Sequence, residues 1–182
     1  KKYGVELLVC SSLNRNSGTM VREKTKMEKM LISGVAADKN VAKIRVAGLG
    51  NDPESTFRLL NLLDRNNLNI DVMIQSLGKD GTKSVSFTVA KPDMLRTIDV
   101  LNDNKDLLGI KKLDYDENVA KISVIGAGVR SHSGVAAKMF GALANAGINT
   151  EMVTTSEIRI TALIDEAYAD QAMRAIHETF LE

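Results

Sequence analysis

The nine residues Asn118–Gly126 read Asn-Val-Ala-Lys-Ile-Ser-Val-Ile-Gly, and they repeat an earlier stretch of the same chain. Asn40–Gly48 reads Asn-Val-Ala-Lys-Ile-Arg-Val-Ala-Gly, which differs at only two of the nine positions. The match resumes further along, where Leu68–Asp71 corresponds to Ile148–Glu151. Two copies are too few for a solenoid, and their spacing is too long. The repeat therefore predicts a duplicated small domain.

Each copy shows strand and helix patterns in the ferredoxin-like order β-α-β-β-α-β. In the first copy, Ala42, Ile44 and Val46 alternate with polar residues, which is typical of a half-buried strand. A glycine-containing loop ending in a proline follows, and then a helix that carries Phe57 and Leu63 on its predicted apolar face. The expected fold class is α+β, with two ferredoxin-like units in tandem.

The second copy leaves no room for its fourth strand before Glu182, whereas the first copy has a candidate at Leu107–Leu113. An empty place would expose an unpaired sheet edge. A spare apolar strand, Leu31–Ala37, precedes the first copy, and a turn is predicted at Asp38–Asn40. Either this strand completes the second unit, so that the first unit is inserted within it, or it forms a hairpin with Val41–Gly48. The need to cover the edge favours the insertion.

The predicted organisation therefore has four segments. Residues 1–29 hold a short strand at Val5–Cys10 and a linker, and residues 30–40 hold the strand that completes the second unit. The first unit is predicted over residues 41–114 and the second over residues 115–182.

Composition excludes several classes of function. The chain has 182 residues, of which 44% are apolar and 26% charged, and its net charge is +1. This charge provides no general field to attract nucleic acid or anionic lipid. No apolar run is long enough to span a membrane. The single Cys10 forms no internal disulfide, which suits a reducing cytosol, so a cytoplasmic protein is expected. Because the chain begins without Met, a fragment is also expected.

No enzymatic motif stands out. His132 lies between Ser131 and Ser133, but a nucleophile and a base adjacent in sequence rarely face each other. Two histidines and one cysteine, widely separated, do not predict a metal site. The glycine loops do not extend to a dinucleotide fingerprint or a Walker loop. We therefore predict no catalytic residue and no metal site.

A ligand site is predicted at the two loops that join the first strand to the first helix of each unit. Backbone N–H groups at a helix start favour a carboxylate. The second strand of each unit begins with an acid, Asp71 in one and Glu151 in the other. Together these groups are complementary to a zwitterion such as an amino acid. The alternative is that the acids and their neighbouring Asn residues only solvate loops.

Four motifs together resemble the regulatory region of aspartate kinase, the enzyme that phosphorylates aspartate at the entry to lysine, threonine and methionine synthesis. The most specific is Asn149–Ile158, Asn-Thr-Glu-Met-Val-Thr-Thr-Ser-Glu-Ile. The others are Ile32–Asn40, Asp80–Thr82 and Arg130–Ala136. The resemblance extends over the chain, and Leu8–Val21 resembles the segment that leaves the kinase domain.

This resemblance implies paired ACT domains, which are small ferredoxin-like modules that bind amino acids at interfaces between neighbouring chains. It implies a homodimer, a lysine or threonine effector, and feedback inhibition of an aspartate kinase catalytic domain or subunit. No kinase motif is present, so ATP and Mg²⁺ are expected only in that catalytic part, and no activity is expected of this chain alone. The alternative is a structural dimerisation module of the same enzyme with no effector bound.

The resemblance also implies the effector contacts. In the first unit they are Asn51, Asp52, Glu54, Ser55, Asn69, Ile70, Asp71 and Gln75. In the second unit they are Val129, His132, Gly134, Val135, Ala136, Asn149, Thr150, Glu151, Ser156 and Glu157. Asn51, Glu54 and Ser133 depart from the usual residues of the family, mostly in the first unit.

Overall fold

The two repeated stretches lie in two long strands that run antiparallel, side by side, through the middle of one sheet. In this computed structural model, residues 7–9, 19–21, 32–131 and 134–181 are described. The strands are β1 (Leu7–Val9), β2 (Thr19–Val21), β3 (Gly34–Leu49), β4 (Met73–Leu77), β5 (Lys83–Ala90), β6 (Lys112–Ile125), β7 (Met152–Thr155) and β8 (Arg159–Asp165). The helices are α1 (Pro53–Arg65), α2 (Met94–Asp103), α3 (Lys105–Leu108), α4 (Gly128–Ser131), α5 (Val135–Asn145) and α6 (Ala169–Leu181).

The main sheet has the order β4-β5-β3-β6-β8-β7, and every neighbouring pair is antiparallel. β1 and β2 form a separate two-stranded sheet. The two halves of β3 have different neighbours. Gly34–Asp38 pairs with the end of β6, at Lys121–Ile125, whereas Val41–Leu49 pairs with β5 and Val41–Ala47 also pairs with the first half of β6.

Two local predictions were wrong because each of the long strands β3 and β6 was predicted as two short elements. The first is the turn at Asp38–Asn40. Asp38–Asn40 is not a turn: these residues continue β3, with a register irregularity between Asp38 and Val41. The Asp38 carboxylate accepts a hydrogen bond from the Asn40 N–H at 2.9 Å, which is the local contact that Asp-x-Asn predicts, but the backbone remains extended. Gly34–Ala37 consequently forms no hairpin with the rest of β3.

The predicted strand Leu107–Leu113 was also wrong in its first half. Leu107 and Leu108 close the short helix α3, and Gly109 ends it in the left-handed conformation with φ +71°. β6 begins only at Lys112 and continues without interruption into the repeated stretch.

Helices cover one face of the sheet in two groups. α1 and α2 pack on the half that holds β3, β4 and β5, where Ile44, Leu59 and Phe87 are fully buried. α5 and α6 pack on the other half, where Ile122 and Met139 are fully buried. Each repeat therefore has its own apolar core.

A third, smaller cluster lies between the repeats. Val41 and Val72 of the first repeat contact Val119, Met152 and Leu163 of the second, and all five are at most 7% exposed. Along each long strand these residues alternate with those facing the helices, so this cluster lies on the opposite side of the sheet.

The predicted apolar face of α1 needs one correction. Leu59 and Leu63, four residues apart, are buried, but Phe57 is 65% exposed. Phe57 is only two residues from Leu59, so it lies on the far side of the helix.

The ends of α1 and α5 show the repeat at atomic detail. Gly147 follows α5 with φ +72°, and the Ile148 N–H donates to Leu143 O at 2.9 Å. Asn67 takes the same place after α1 with φ +51°, and the Leu68 N–H donates to Leu63 O at 3.0 Å. Asn is the side chain that best tolerates this left-handed conformation after Gly.

Among the described residues, no helix combines the length and apolar character that crossing a bilayer requires.

We expect Ile122→Ala to lower the free energy of unfolding by about 2–5 kcal/mol, because it leaves a cavity in a packed core. Ile158→Ala makes the same chemical change at a side chain that is 59% exposed, and should cost much less. Urea unfolding of both variants measures the difference, and equal losses would contradict the assignment of the second core.

Candidate ligand-binding site

The starts of α1 and α5 occupy matching places in the two repeats, but they are capped differently. At α1, one Asp52 carboxylate oxygen accepts the N–H groups of Glu54 and Ser55, each at 2.9 Å, and the other contacts the Ser55 hydroxyl. These bonds hold the pKa of Asp52 below its ordinary value, the Ser55 hydroxyl being the largest cause. At α5 the cap is Gly134, with φ +102°, and among the described residues no side chain caps this end. As far as the described residues extend, the start of α5 therefore has room for an external anion, whereas Asp52 occupies the start of α1.

In each repeat, residues of the second strand or of the turn after it contact the loop or helix that follows the first strand. The second strand is β4 in the first repeat and β7 in the second. In the first repeat the Thr56 hydroxyl donates to the Gln75 side chain at 2.6 Å. In the second, Arg130 on α4 donates to Glu157 at 2.9 Å, and both side chains are exposed. These contacts bring the predicted residues Gln75 and Glu157 to the loops.

The predicted acids Asp71 and Glu151 lie at the opposite ends of those strands. β7 separates Glu151 from the turn at Ser156, and its four residues span about 13 Å. Neither acid therefore faces the helix start of its own repeat.

Instead, each acid pairs with the lysine of the repeated motif in the other copy. Lys43 of the first repeat donates to Glu151 of the second, and Lys121 of the second donates to Asp71 of the first. The two ion pairs cross between the repeats, beside the apolar cluster that joins them.

The two crossed pairs differ in their surroundings. Lys121 has a second carboxylate, Asp38, at 3.1 Å, and its side chain is only 13% exposed. Burial alone lowers the pKa of Lys121, but the hydrogen bonds to Asp71 and Asp38 raise it above its ordinary value. Burial likewise raises the pKa of Asp38, but the Asn40 N–H and the Lys121 ammonium bring it below its ordinary value. The Lys43–Glu151 pair has no such third member among the described residues.

A cavity of about 370 Å³ lies next to the Lys121 pair, on the sheet face that the helices leave open. Its charged lining residues are Asp38, Asp71, Lys121 and Arg159. Ser156 also lines this cavity. The lining therefore includes one residue predicted for the effector site of the first unit, Asp71, and one predicted for that of the second, Ser156.

The remaining predicted residues are distributed around the two loops and strand starts. Val135 is buried and Val129 packs against the second core, so their side chains contribute to the fold. Asn51, Asn69 and Asn149 are exposed, Ile70, Ala136 and Thr150 are half-buried, and Glu54 pairs with Arg58 at 2.7 Å. His132 lies outside the described residues. No group of His, Cys, Asp and Glu in the described ranges has an arrangement that could hold a metal ion.

Four residues of the crossed pairs and the cavity were not predicted as site residues: Lys43, Lys121, Asp38 and Arg159. The signal for the lysines was present, since the repeat copies a lysine at matching positions of both strands. A lysine that only faces solvent on a half-buried strand gives the same sequence pattern. The sequence therefore did not predict that each lysine pairs with an acid of the other copy.

Comparison with known proteins gives a consistent set of similarities. A family model described as the ACT domain matches residues 122–180. The aspartokinase of Pseudomonas aeruginosa is 36% identical over 182 residues, which cover 98% of this chain but only 44% of that protein. The chain therefore spans less than half of that curated relative.

Two solved structures are similar over nearly their whole chains. One, a structure of aspartokinase alpha and beta subunits, contains a chain that is 41% identical, with a TM-score of 0.77, covering 82% of this chain and 98% of that one. The other is the ligand-free regulatory subunit of aspartate kinase from Thermus thermophilus, 32% identical with a TM-score of 0.77, covering 82% of this chain and 99% of that one.

We expect the crossed pair Lys43–Glu151 to stabilise the fold by about 0.2–1 kcal/mol, the range for partly exposed ion pairs. A double-mutant cycle with Lys43→Met and Glu151→Gln, followed by urea unfolding, measures this coupling energy. The same cycle with Glu157→Gln in place of Glu151→Gln is the control, because Glu157 pairs with Arg130 instead. Equal coupling in both cycles would contradict the crossed arrangement.

Asp38 should contribute to the pH dependence of stability. Because its pKa is lowered in the folded state, its contribution is present above the pKa of the unfolded chain and is lost as the pH falls through the lowered value. Between about pH 5 and pH 2, the free energy of unfolding should therefore decline less in Asp38→Asn than in the wild type. Asp99→Asn, at an exposed position on α2, is the control and should follow the wild-type curve.

Proposed function

Because the chain belongs to the family of aspartate kinase regulatory regions, with an ACT domain, we propose that it binds an end-product amino acid, lysine or threonine, for feedback inhibition of aspartate-family amino-acid synthesis. The bound amino acid favours one arrangement of the regulatory region, and that arrangement holds a catalytic domain or subunit inactive. ATP, Mg²⁺ and phosphoryl transfer to aspartate belong in this proposal to that catalytic part.

The difference between the two helix starts is the observation that carries the proposal. The start of α5 has backbone donors, a glycine cap and no side-chain cap among the described residues, so it suits the ligand's carboxylate. Gly134, Val135 and Ala136 form this start, and Ser156 and Glu157 lie at the neighbouring turn. The Glu151 carboxylate, which pairs with Lys43 in this structure, is the acid that we propose for the ligand's ammonium group.

The positions of these groups favour a site shared between two chains. In one chain the strand β7 separates Glu151 from the turn beside α5, by about 13 Å. A compact amino acid that uses both an α5 start and a Glu151 carboxylate therefore takes them from different chains. This supports a homodimer with effector at ACT–ACT interfaces.

The first unit is proposed to be mainly structural. Asp52 already accepts the N–H groups of Glu54 and Ser55, so a ligand carboxylate would have to displace it and would meet its negative charge. The strand register supports two ACT units with the first inserted in the second. Gly34–Asp38 lies beside the β6 segment Lys121–Ile125, and we assign it as the fourth strand of the second unit.

Isothermal titration of the purified chain with L-lysine and then L-threonine tests the proposal, with light scattering to follow the mass. A saturable heat and a stabilised dimer are the expected results. Glu151→Gln should weaken binding by about 2 kcal/mol, or roughly thirtyfold, for a lost charge-assisted hydrogen bond. Glu178→Gln, on the exposed face of α6, is the matched control and should bind like the wild type. A dimer that binds neither amino acid would favour the structural dimerisation module.

A further inference from the structure

The two lysines of the crossed ion pairs stand at the same position of the repeated motif, and each has an aspartate five residues before it. These aspartates are Asp38, ahead of the first motif, and Asp116, ahead of the second. Each accepts the N–H of the asparagine two residues later, at 2.9 Å. The strand register places each aspartate opposite the lysine of the other motif, Asp38 opposite Lys121 and Asp116 opposite Lys43. The two lysines therefore have matching surroundings.

Only one of the two lysines uses the aspartate opposite to it. The Lys121 ammonium contacts Asp38 at 3.1 Å in addition to its crossed partner, and its side chain is 13% exposed. Lys43 donates to Glu151, and within the described ranges it has no ion pair with Asp116. Opposite residues of an antiparallel pair have Cβ atoms about 4.5–5.5 Å apart, a distance that the four-carbon stem of lysine can span. Asp116 is therefore a second carboxylate within reach of Lys43.

The Lys43–Glu151 pair is also the more accessible of the two from solvent at its lysine. The Lys43 side chain is 24% exposed and that of Glu151 is 36% exposed. An ammonium from outside the chain can therefore approach this carboxylate. A carboxylate accepts several hydrogen bonds, but two ammonium groups beside each other repel. An incoming ammonium is consequently favoured at Glu151 only when Lys43 leaves it.

We propose that Lys43 is an internal competitor for the ammonium group of the amino acid, and that it moves from Glu151 to Asp116 when the amino acid binds. This inference rests on the proposed function, in which Glu151 receives that ammonium. The apparent affinity is then lowered in proportion to the fraction of molecules in which Glu151 is free of Lys43. Because coupling is reciprocal, the bound amino acid in turn releases one contact between the two repeats. Lys43 thus links occupancy of the site to the contact between the units.

Isothermal titration of the purified chain with L-lysine and L-threonine tests the competition. Lys43→Met should bind whichever of the two is the effector about two- to fivefold more tightly than the wild type, a factor that corresponds to a partly exposed ion pair. Lys105→Met, at an exposed position on α3, makes the same change of side chain and net charge, and should bind like the wild type. In a chain that already carries Glu151→Gln, Lys43→Met should have no effect, because Lys43 then has no carboxylate to occupy.

Asp116→Asn tests where the released lysine goes. The asparagine side chain still accepts the Asn118 N–H but offers no negative charge to Lys43. It should therefore weaken binding by about twofold in the wild-type background and leave it unchanged in Lys43→Met. Asp99→Asn, at an exposed position on α2, is the matched control and should bind like the wild type. Equal weakening with and without Lys43 would contradict the move to Asp116.

The outcomes separate this inference from the proposed function, and urea unfolding establishes that each variant is folded. If the wild type binds and Lys43→Met binds no more tightly, the competition is overturned while the proposed function stands. The competition is also overturned if the tightening persists in Glu151→Gln. If neither the wild type nor Lys43→Met binds L-lysine or L-threonine, the proposed function fails and this inference fails with it. Binding by Lys43→Met alone would support both.

Discussion

The antiparallel pairing of β3 with β6 is the interaction on which the rest of the structure depends. Both strands carry the motif Val-Ala-Lys-Ile, and the pleat of a strand sends successive side chains to opposite faces. Ala and Ile of the motif thus enter a core under the helices, while Val and Lys reach the other face. In each copy, the Ala and Ile of this short sequence therefore pack in that repeat's core. Its Val and Lys contact the other repeat.

This geometry explains how the two repeats are held together. The valines of the motif, Val41 and Val119, meet in the apolar cluster, and the lysines reach past it to the acid of the opposite copy. The apolar contacts are non-directional, whereas each ion pair requires a particular partner at a particular place. The cluster brings the repeats into contact, the β3–β6 pairing sets their register, and the crossed pairs add contacts that require a particular partner.

Much of this architecture could be predicted from the sequence because it is local or repeated. The helix starts at Pro53 and Val135 and the stop at Gly147 follow from short-range rules that need no knowledge of the fold. The continuity of β3 through Asp38 could not be predicted in this way, since Asp-x-Asn also forms turns and only pairing with a distant strand keeps it extended. Crossed pairs and cavity charges combine residues far apart in sequence, and no local pattern encodes them.

The single strand that serves both repeats also constrains the order in which the protein folds. Gly34 pairs with Ile125, and the intervening chain includes nearly all of the first repeat. During synthesis, the first repeat can complete its sheet once Lys112–Val119 has emerged, but the second repeat must wait for β7, β8 and the far half of β6. Contacts between residues so distant in sequence are slow to form, because the loop between them must first be closed. Within these 182 residues, the sheet of the second repeat can therefore be completed only after that of the first.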